Sequence, residues 1–138
     1  MTVCIDTNVI LGIFRSNGSW LPIRQALVEG RLVWAVSTEI LLEYEEEVAA
    51  REMGITASGK LIRFIELLEI TRCNVRRVSP TFRFQIIPAD PDDNKFTDCA
   101  ITAGADYIVT EDRHFAPLAT AGYHPQPISP SEFISKHL

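Results

Sequence analysis

Apolar residues along the chain fall into short runs and into stretches with helical spacing. The short runs are rich in β-branched residues, which is typical of strands buried on both faces. They predict strands over residues 2–6, 31–36, 69–75 and 107–110, with a fifth, edge strand around Ile128. Helical segments separate these runs, which favours a single α/β domain over residues 1–138. We expect a three-layer α/β/α sandwich with a mostly parallel central sheet.

Helical spacing and capping residues predict the connecting helices. Thr7 or Asn8 is expected to cap the first, which runs to about Arg15 before residues 17–19 break it. The second predicted helix covers residues 21–29, and the third runs from a cap at Ser37 or Thr38 to an end at Met53-Gly54. A helix over 93–103 is expected to have Asp93 as its cap and Gly104 at its end. The remaining predicted helices cover residues 58–68, 115–121 and 131–137. Residues 76–92 contain three prolines and are either a functional loop or a plain connection.

Four acidic side chains stand where predicted strands end or predicted helices begin. Asp6 ends the first strand, and Asp112 follows the strand 107–110 by one residue. Asp93 begins a helix, and Glu43 lies among apolar residues near the start of another. Ligands of parallel sheets bind beyond the carboxyl ends of the strands. Carboxylates gathered there repel one another unless a hard divalent cation holds them. The pattern therefore predicts a Mg²⁺ or Mn²⁺ site for phosphate chemistry.

Each of these acids also has a purely structural interpretation. Asp6 and Asp93 stand at positions where an aspartate commonly caps a helix. Asp98 is a further candidate ligand, although it lies about 140° around the helix from position 93. His114, close to the last acid, is interpreted as a surface residue.

Composition narrows the class of protein. Of 138 residues, 46% are hydrophobic, and the formal net charge of −5 argues against tight, non-specific DNA binding. The N-terminus shows no signal-peptide pattern, and no apolar run approaches the roughly 18 residues of a membrane span. Three widely spaced cysteines without a zinc-ligand pattern are typical of free thiols in the cytoplasm.

Four motifs in order carry a resemblance to a known family. They are Ile5-Asp6-Thr7-Asn8-Val9, then Ser37 with Glu43-Tyr44 and Val48, then Asp90-Pro91-Asp92-Asp93-Asn94-Lys95-Phe96, and finally Gly104 through Asp112. Together they strongly resemble the PIN domain, with most similarity to the bacterial toxins related to VapC. The resemblance covers nearly the whole chain. One departure is Glu111, because a small residue, usually glycine, is expected before the last acid.

The resemblance implies a ribonuclease that acts on single-stranded RNA and depends on Mg²⁺ or Mn²⁺. It implies that the catalytic and metal-ligating residues are Asp6, Glu43, Asp93 and Asp112, with Thr7, Asn8 and Thr110 as positioning groups. It also implies a homodimer and an antitoxin protein as partners. In the expected mechanism a cation activates water for in-line attack on phosphorus, without a side-chain nucleophile.

Basic side chains are the candidates for the RNA-binding rim of such a site. The arginines at 76 and 77 belong to the densest basic group, and Lys95 and Arg113 flank the acidic motifs. A solvated basic surface is the alternative interpretation of the arginine group.

Two other functions remain open from the sequence. A Mg²⁺-binding phosphoacceptor module would need paired acids after the first strand and a lysine near the last strand, whereas Asp6 stands alone and Lys136 lies near the C-terminus. A PIN-like binding module without catalysis is the other possibility, which the presence of all four acids disfavours.

Overall fold

The computed structural model of the chain describes residues 1–14, 18 and 20–138, with the side chains of 52–58 left out. The predicted end of the first helix near Arg15, and most of the predicted break at 17–19, lie outside the described residues.

A five-stranded parallel sheet forms the centre of the fold. Its strands are β1 (Thr2–Ile5), β2 (Val33–Val36), β3 (Val75–Arg77), β4 (Tyr107–Val109) and β5 (Gln126–Ile128), in the spatial order β3-β2-β1-β4-β5. All four strand pairs are parallel. The residues of β1 are buried, as expected for a strand with helices over both faces. The predicted α/β/α sandwich is confirmed.

In the described part of the chain, seven α-helices connect and cover the strands. They are α1 (Thr7–Phe14), α2 (Leu21–Val28), α3 (Thr38–Val48), α4 (Gly54–Arg72), α5 (Asn94–Ala103), α6 (Ala116–Ala119) and α7 (Pro130–His137). Short 3₁₀ turns at Pro91–Asp93 and Arg113–Phe115 precede α5 and α6, respectively. Among the described residues, no helix is both long and apolar enough to cross a membrane.

Two sequence predictions are wrong in the middle of the chain. Residues 69–72 are the last turn of a helix rather than the start of a strand, because the buried stripe of Leu61, Ile65 and Leu68 continues its helical spacing up to that turn. Cys73 then adopts a positive φ of 53°, and β3 begins only at Val75. The predicted helix end at Met53-Gly54 is also absent, since a π-helical turn at Ala49–Met53 joins α3 to α4.

The order of the strands creates a crevice at one edge of the sheet. From β1 the chain adds β2 and β3 on one side, and later β4 and β5 on the other. The chain therefore leaves the carboxyl ends of the neighbouring strands β1 and β4 in opposite directions. Ligands of such sheets bind in the crevice between two connections of this kind. The amide of Asp6 donates to the carbonyl of Val109 at 3.0 Å and joins the two strands at this edge.

A buried tyrosine fixes α3 against this edge. The hydroxyl of Tyr44 donates to the carbonyl of Ile5, the residue before Asp6. The Tyr44 ring packs between Trp34 and Phe96, with ring centroids 5.9 and 6.5 Å away. Burial raises the pKa of Tyr44 well above its usual value, so the phenol remains a donor at neutral pH. This contact places the preceding residue, Glu43, beside the end of β1.

Candidate metal centre

Asp6 is a buried carboxylate at the end of β1. Its side chain is held at the sheet edge by the hydroxyl of Thr110, which donates to Oδ2 at 2.8 Å, and its residue is 4% exposed. Burial raises the pKa of Asp6; the Thr110 hydrogen bond opposes this, and the negative charges of Asp112 and Glu43 add to it. If Asp6 were only a helix cap, the nearby negative charges of Asp112 and Glu43 would serve no purpose, so the three acids together favour a site for a cation.

Glu43 lies on the second turn of α3, whose first turn is capped by the Ser37 hydroxyl accepting from the Ile40 amide at 3.3 Å. One carboxylate oxygen accepts from the Thr7 hydroxyl and the other from Nζ of Lys95. The first residue of α1 and the second of α5 thus converge on the same side chain. The structure therefore brings Glu43 and Thr7 together with Asp6, as the sequence predicted.

Asp93 ends the 3₁₀ turn before α5. Asp93 occupies the N-cap position of α5, as predicted, but its side chain makes no capping hydrogen bond. Asp90 caps the turn instead and accepts from the Asp92 amide at 3.1 Å. Among the described residues, Oδ2 of Asp93 is buried without a hydrogen-bond partner. Burial raises the pKa of Asp93 to about 6, helped by the charges of Asp90, Asp112 and Asp6.

Asp112 follows β4 and is linked to Asp6 through Thr110. The Thr110 hydroxyl accepts from the amide of Asp112 at 2.9 Å while it donates to Asp6. Oδ1 of Asp112 accepts from the amide of His114 at 2.8 Å and caps the turn Arg113–Phe115. Asp112 therefore has a structural bond and also contributes negative charge to the site. Glu111, the departure from the family pattern, is exposed.

Sequence reasoning missed two groups at this site. His114 is exposed, as predicted for a surface residue, but its ring also lies within 3.8 Å of the carboxylates of Asp90, Asp93 and Asp112, which the sequence reasoning did not anticipate. Asp90 was not among the predicted site residues. The spacing of two residues from Asp112 to His114, and of three from Asp90 to Asp93, is the signal that the sequence contained.

Two predicted site residues have other partners. Asp98 is 1% exposed, and its Oδ1 accepts from the Phe84 amide at 2.9 Å, so it anchors the segment before α5. Asn8 is exposed, and its side-chain carbonyl accepts from Arg51 at 3.3 Å. These contacts give Asp98 and Asn8 structural roles, and the structure does not bring either to the acid cluster.

The predicted basic rim divides into two groups. Lys95 contacts Glu43 directly, and Arg113 is exposed immediately after Asp112. Arg76 instead donates to the carbonyl of Ala103 at 2.8 Å, at the end of α5 opposite Asp93. Arg77 pairs with Glu69 on α4. The structure therefore places Lys95 at the site and Arg113 next to Asp112, whereas Arg76 and Arg77 have partners elsewhere.

An open groove of about 600 Å³ runs from α3 to the turn before α5. Most of its lining residues are acidic, and two are basic. The lining residues are Glu39, Leu42, Glu43, Glu46, Glu47, Arg83, Pro91, Asp92, Asp93 and Lys95. Arg83 pairs with Glu39 at 2.7 Å, and Lys95 pairs with Glu43. The groove therefore carries excess negative charge beside the four predicted acids.

This donor set fits a divalent cation. Carboxylate oxygens are the ligands that Mg²⁺ and Mn²⁺ prefer. Burial raises the pKa values of Asp6 and Asp93, and the negative charges of neighbouring acids add to this effect. The buried Oδ2 of Asp93 has no donor among the described side chains or amides. A bound cation would supply the missing positive charge.

Comparison with known proteins found one family match and one similar solved structure. The chain matches the PIN domain family over residues 2–114, which include all four acids. The fold is similar to that of a chain in the crystal structure of VapBC2 from Rickettsia felis, which is bound to a DNA fragment from the VapBC2 promoter. The TM-score is 0.57, with 18% identity over 81% of this chain and 88% of that chain. Among curated proteins, none matches this sequence. The family match shows that the chain belongs to the PIN domain family.

Proposed function

We propose that the chain is a divalent-metal-dependent endoribonuclease that cleaves single-stranded RNA and serves as the toxin of a toxin–antitoxin pair. The observation that carries this proposal is the convergence of Asp6, Glu43, Asp93 and Asp112 at the carboxyl ends of β1 and β4. Membership of the PIN family and the orphaned oxygen of Asp93 support it. The phosphoacceptor alternative loses support, since Lys136, the lysine considered for it, pairs with Glu132 within α7.

A Mg²⁺ or Mn²⁺ ion in this cluster would supply an activated water and positive charge for the scissile phosphate. Asp6, Glu43, Asp93 and Asp112 are the residues that would hold it. The hydroxyls of Thr110 and Thr7 orient Asp6 and Glu43 through the hydrogen bonds described above. These residues hold the carboxylates in place before substrate arrives, which favours catalysis by preorganisation.

The charge of the groove favours loose RNA binding that depends on cations. A protein with a net charge of −5 and an acidic groove repels phosphates until bound cations neutralise the acids. We expect Lys95 and Arg113 to contact the backbone of the strand at the rim. Single-stranded RNA with an accessible loop suits an open groove better than a rigid duplex does. We therefore expect weak cleavage of a generic RNA and efficient cleavage of one preferred sequence or loop.

Chelation is the first test of this function. With a panel of single-stranded RNA oligonucleotides, cleavage should stop when EDTA is added and return when excess Mg²⁺ or Mn²⁺ is supplied. Internal cuts, separated by gel electrophoresis, would identify an endonuclease. Cleavage that survives EDTA would contradict the proposal.

A pair of double variants tests the rim. Lys95→Ala with Arg113→Ala should raise the KM for RNA by roughly tenfold, because it removes two cations beside the acids. Arg76→Ala with Arg77→Ala is the matched control, since both guanidinium groups have partners away from the groove. A larger effect in the control pair would place the RNA rim at the arginines and contradict this assignment.

The antitoxin and the cell compartment are parts of the same proposal. The Rickettsia felis structure with a similar fold is a VapBC2 complex. An antitoxin segment would bind over the acidic groove and insert a basic side chain among the carboxylates. Free thiols at Cys4, Cys73 and Cys99 favour the reducing cytoplasm. Induced expression should arrest bacterial growth, and the Asp6→Asn variant should not.

We also propose that the protein is a homodimer that aligns two acidic clusters along one groove. Sedimentation equilibrium at micromolar concentrations should then give twice the chain mass of 15.5 kDa. A monomer at all of these concentrations would contradict the proposed dimer but not the proposed metal centre.

A further inference from the structure

His114 stands among three carboxylates on the outer side of the acid cluster. Its Nδ1 lies 3.3 Å from Oδ1 of Asp112, 3.6 Å from Oδ2 of Asp93 and 3.8 Å from Oδ2 of Asp90. One ligand atom from each of Asp90, Asp93 and His114 lies within 4.8 Å of the other two. The three residues come from the turn before α5 and the turn after β4. Only the fold brings them together.

We propose that Asp90, Asp93 and His114 form an outer cation site that binds a transition-metal ion such as Mn²⁺ or Ni²⁺ in preference to Mg²⁺. The site adjoins the inner acids, Asp6 and Glu43. The inference rests on the proposed function in one respect, since Asp93 belongs to both ligand sets.

An imidazole nitrogen selects among divalent ions in a way that carboxylates do not. Mg²⁺ is a hard ion that takes oxygen ligands, whereas Ni²⁺ binds imidazole well and Mn²⁺ has intermediate affinity for nitrogen. Ligands of an ion with bonds of about 2.1 Å lie roughly 3.0–3.4 Å apart in octahedral or tetrahedral geometry. The observed separations of 3.6 and 3.8 Å from Nδ1 require side-chain movements of a few tenths of an ångström.

The orphaned oxygen of Asp93 faces His114 and is a second observation that favours a cation here. Oδ2, the atom 3.6 Å from His114, is buried and accepts no hydrogen bond from any described residue. A buried carboxylate oxygen without a partner is costly, and a cation would satisfy it. Oδ1 of Asp112, the oxygen nearest Nδ1, already accepts from the His114 amide, whereas Oδ2 faces the imidazole in both Asp90 and Asp93. The His114 side chain is 45% exposed, so an ion can enter from solvent.

Calorimetry with each metal alone tests the proposal on the intact protein. His114→Ala should lower Ni²⁺ affinity by at least about tenfold and change Mg²⁺ affinity by less than about threefold. Asp90→Asn should weaken Ni²⁺ binding similarly, whereas Asp92→Asn, which alters an exposed acid two residues away, should not. His124→Ala is the control for loss of an exposed histidine.

Nuclear magnetic resonance locates the ion directly. Substoichiometric Mn²⁺ should broaden the ring signals of His114 before those of the other two histidines, His124 and His137. Equal broadening of all three, or Ni²⁺ affinity unchanged in folded His114→Ala, would overturn the outer site. If His114 is only a counter-ion of the carboxylates, its removal should raise Mg²⁺ and Ni²⁺ affinity alike, which also overturns the proposal.

These outcomes are separable from those that test the proposed ribonuclease. If His114→Ala leaves Ni²⁺ binding intact while Asp6→Asn abolishes Mg²⁺-dependent cleavage, the outer site fails and the nuclease stands. If Ni²⁺ binding requires His114 but no RNA is cut with any metal, the outer site stands and the proposed function fails.

Discussion

Replacing Asp6 by asparagine should reduce metal-dependent RNA cleavage by at least about a hundredfold. Asparagine has nearly the same shape, and its carbonyl oxygen can still accept from Thr110. The substitution therefore removes the negative charge of a buried ligand with little change in packing. Calorimetry should show a similar loss of Mn²⁺ affinity in the same variant. The measurement is the initial rate of cleavage of one RNA at saturating Mg²⁺.

The matched control is Asp106→Asn at the opposite edge of the sheet. Asp106 accepts from the Thr2 amide at 2.7 Å and lies at the start of β4. Asp106→Asn therefore removes one negative charge, as Asp6→Asn does, but away from the acid cluster. This variant should retain cleavage. Activity that persists in Asp6→Asn would identify a contaminating nuclease or a different site. A large drop in the melting temperature of metal-free Asp6→Asn would instead favour a structural role for this acid.

Asp93→Asn should stabilise the metal-free protein at neutral pH and destabilise it relative to wild type when Mg²⁺ is saturating. The pKa of Asp93 is about 6 in the fold, against an ordinary value of 3.8. Below pH 3.8 the carboxyl is neutral in both states, and its full contribution to stability is present. As the pH rises through 6, that contribution is lost, because the unfolded chain ionises more easily.

Melting curves at two pH values measure this effect. Without metal, Asp93→Asn should match wild type near pH 3.5 and melt a few degrees higher, about 3–5 °C, at pH 7.5. With saturating Mg²⁺ the order should reverse at pH 7.5, since a cation that binds only the folded state stabilises wild type. Asp92→Asn, an exposed neighbour, should show neither effect. A constant difference between variant and wild type at both pH values would contradict the raised pKa.

The sequence predicted the parts of the fold that local pattern determines. The runs before Asp6 and Asp112 are short and β-branched, and they form adjacent strands. The prediction of a strand over residues 69–75 was wrong at its start. Ile70, Thr71 and Val75 favour a strand locally, but packing of the preceding apolar stripe continues the helix to Arg72. Tertiary contacts therefore decided where local propensity was ambiguous.

The sequence predicted which side chains come together where strand ends determine their position, but not where a loop determines it. Asp6 and Thr110 follow neighbouring parallel strands, so their proximity follows from the topology. The positions of Asp90 and His114 depend on how the turn before α5 folds onto the turn after β4, and the spacing within either motif alone does not determine that contact. Asp98 was a candidate by residue type alone, and its position on α5 directs it to the Phe84 amide.

The most direct test of the central claim is a crystal structure of the protein soaked in Mn²⁺, with anomalous diffraction data. We expect an anomalous peak within coordination distance of carboxylate oxygens of both Asp6 and Asp93, with Glu43 and Asp112 close by. The same peak should be absent from crystals of Asp6→Asn. Crystals of wild type with full access of Mn²⁺ to the groove and no peak among these acids would contradict the metal centre.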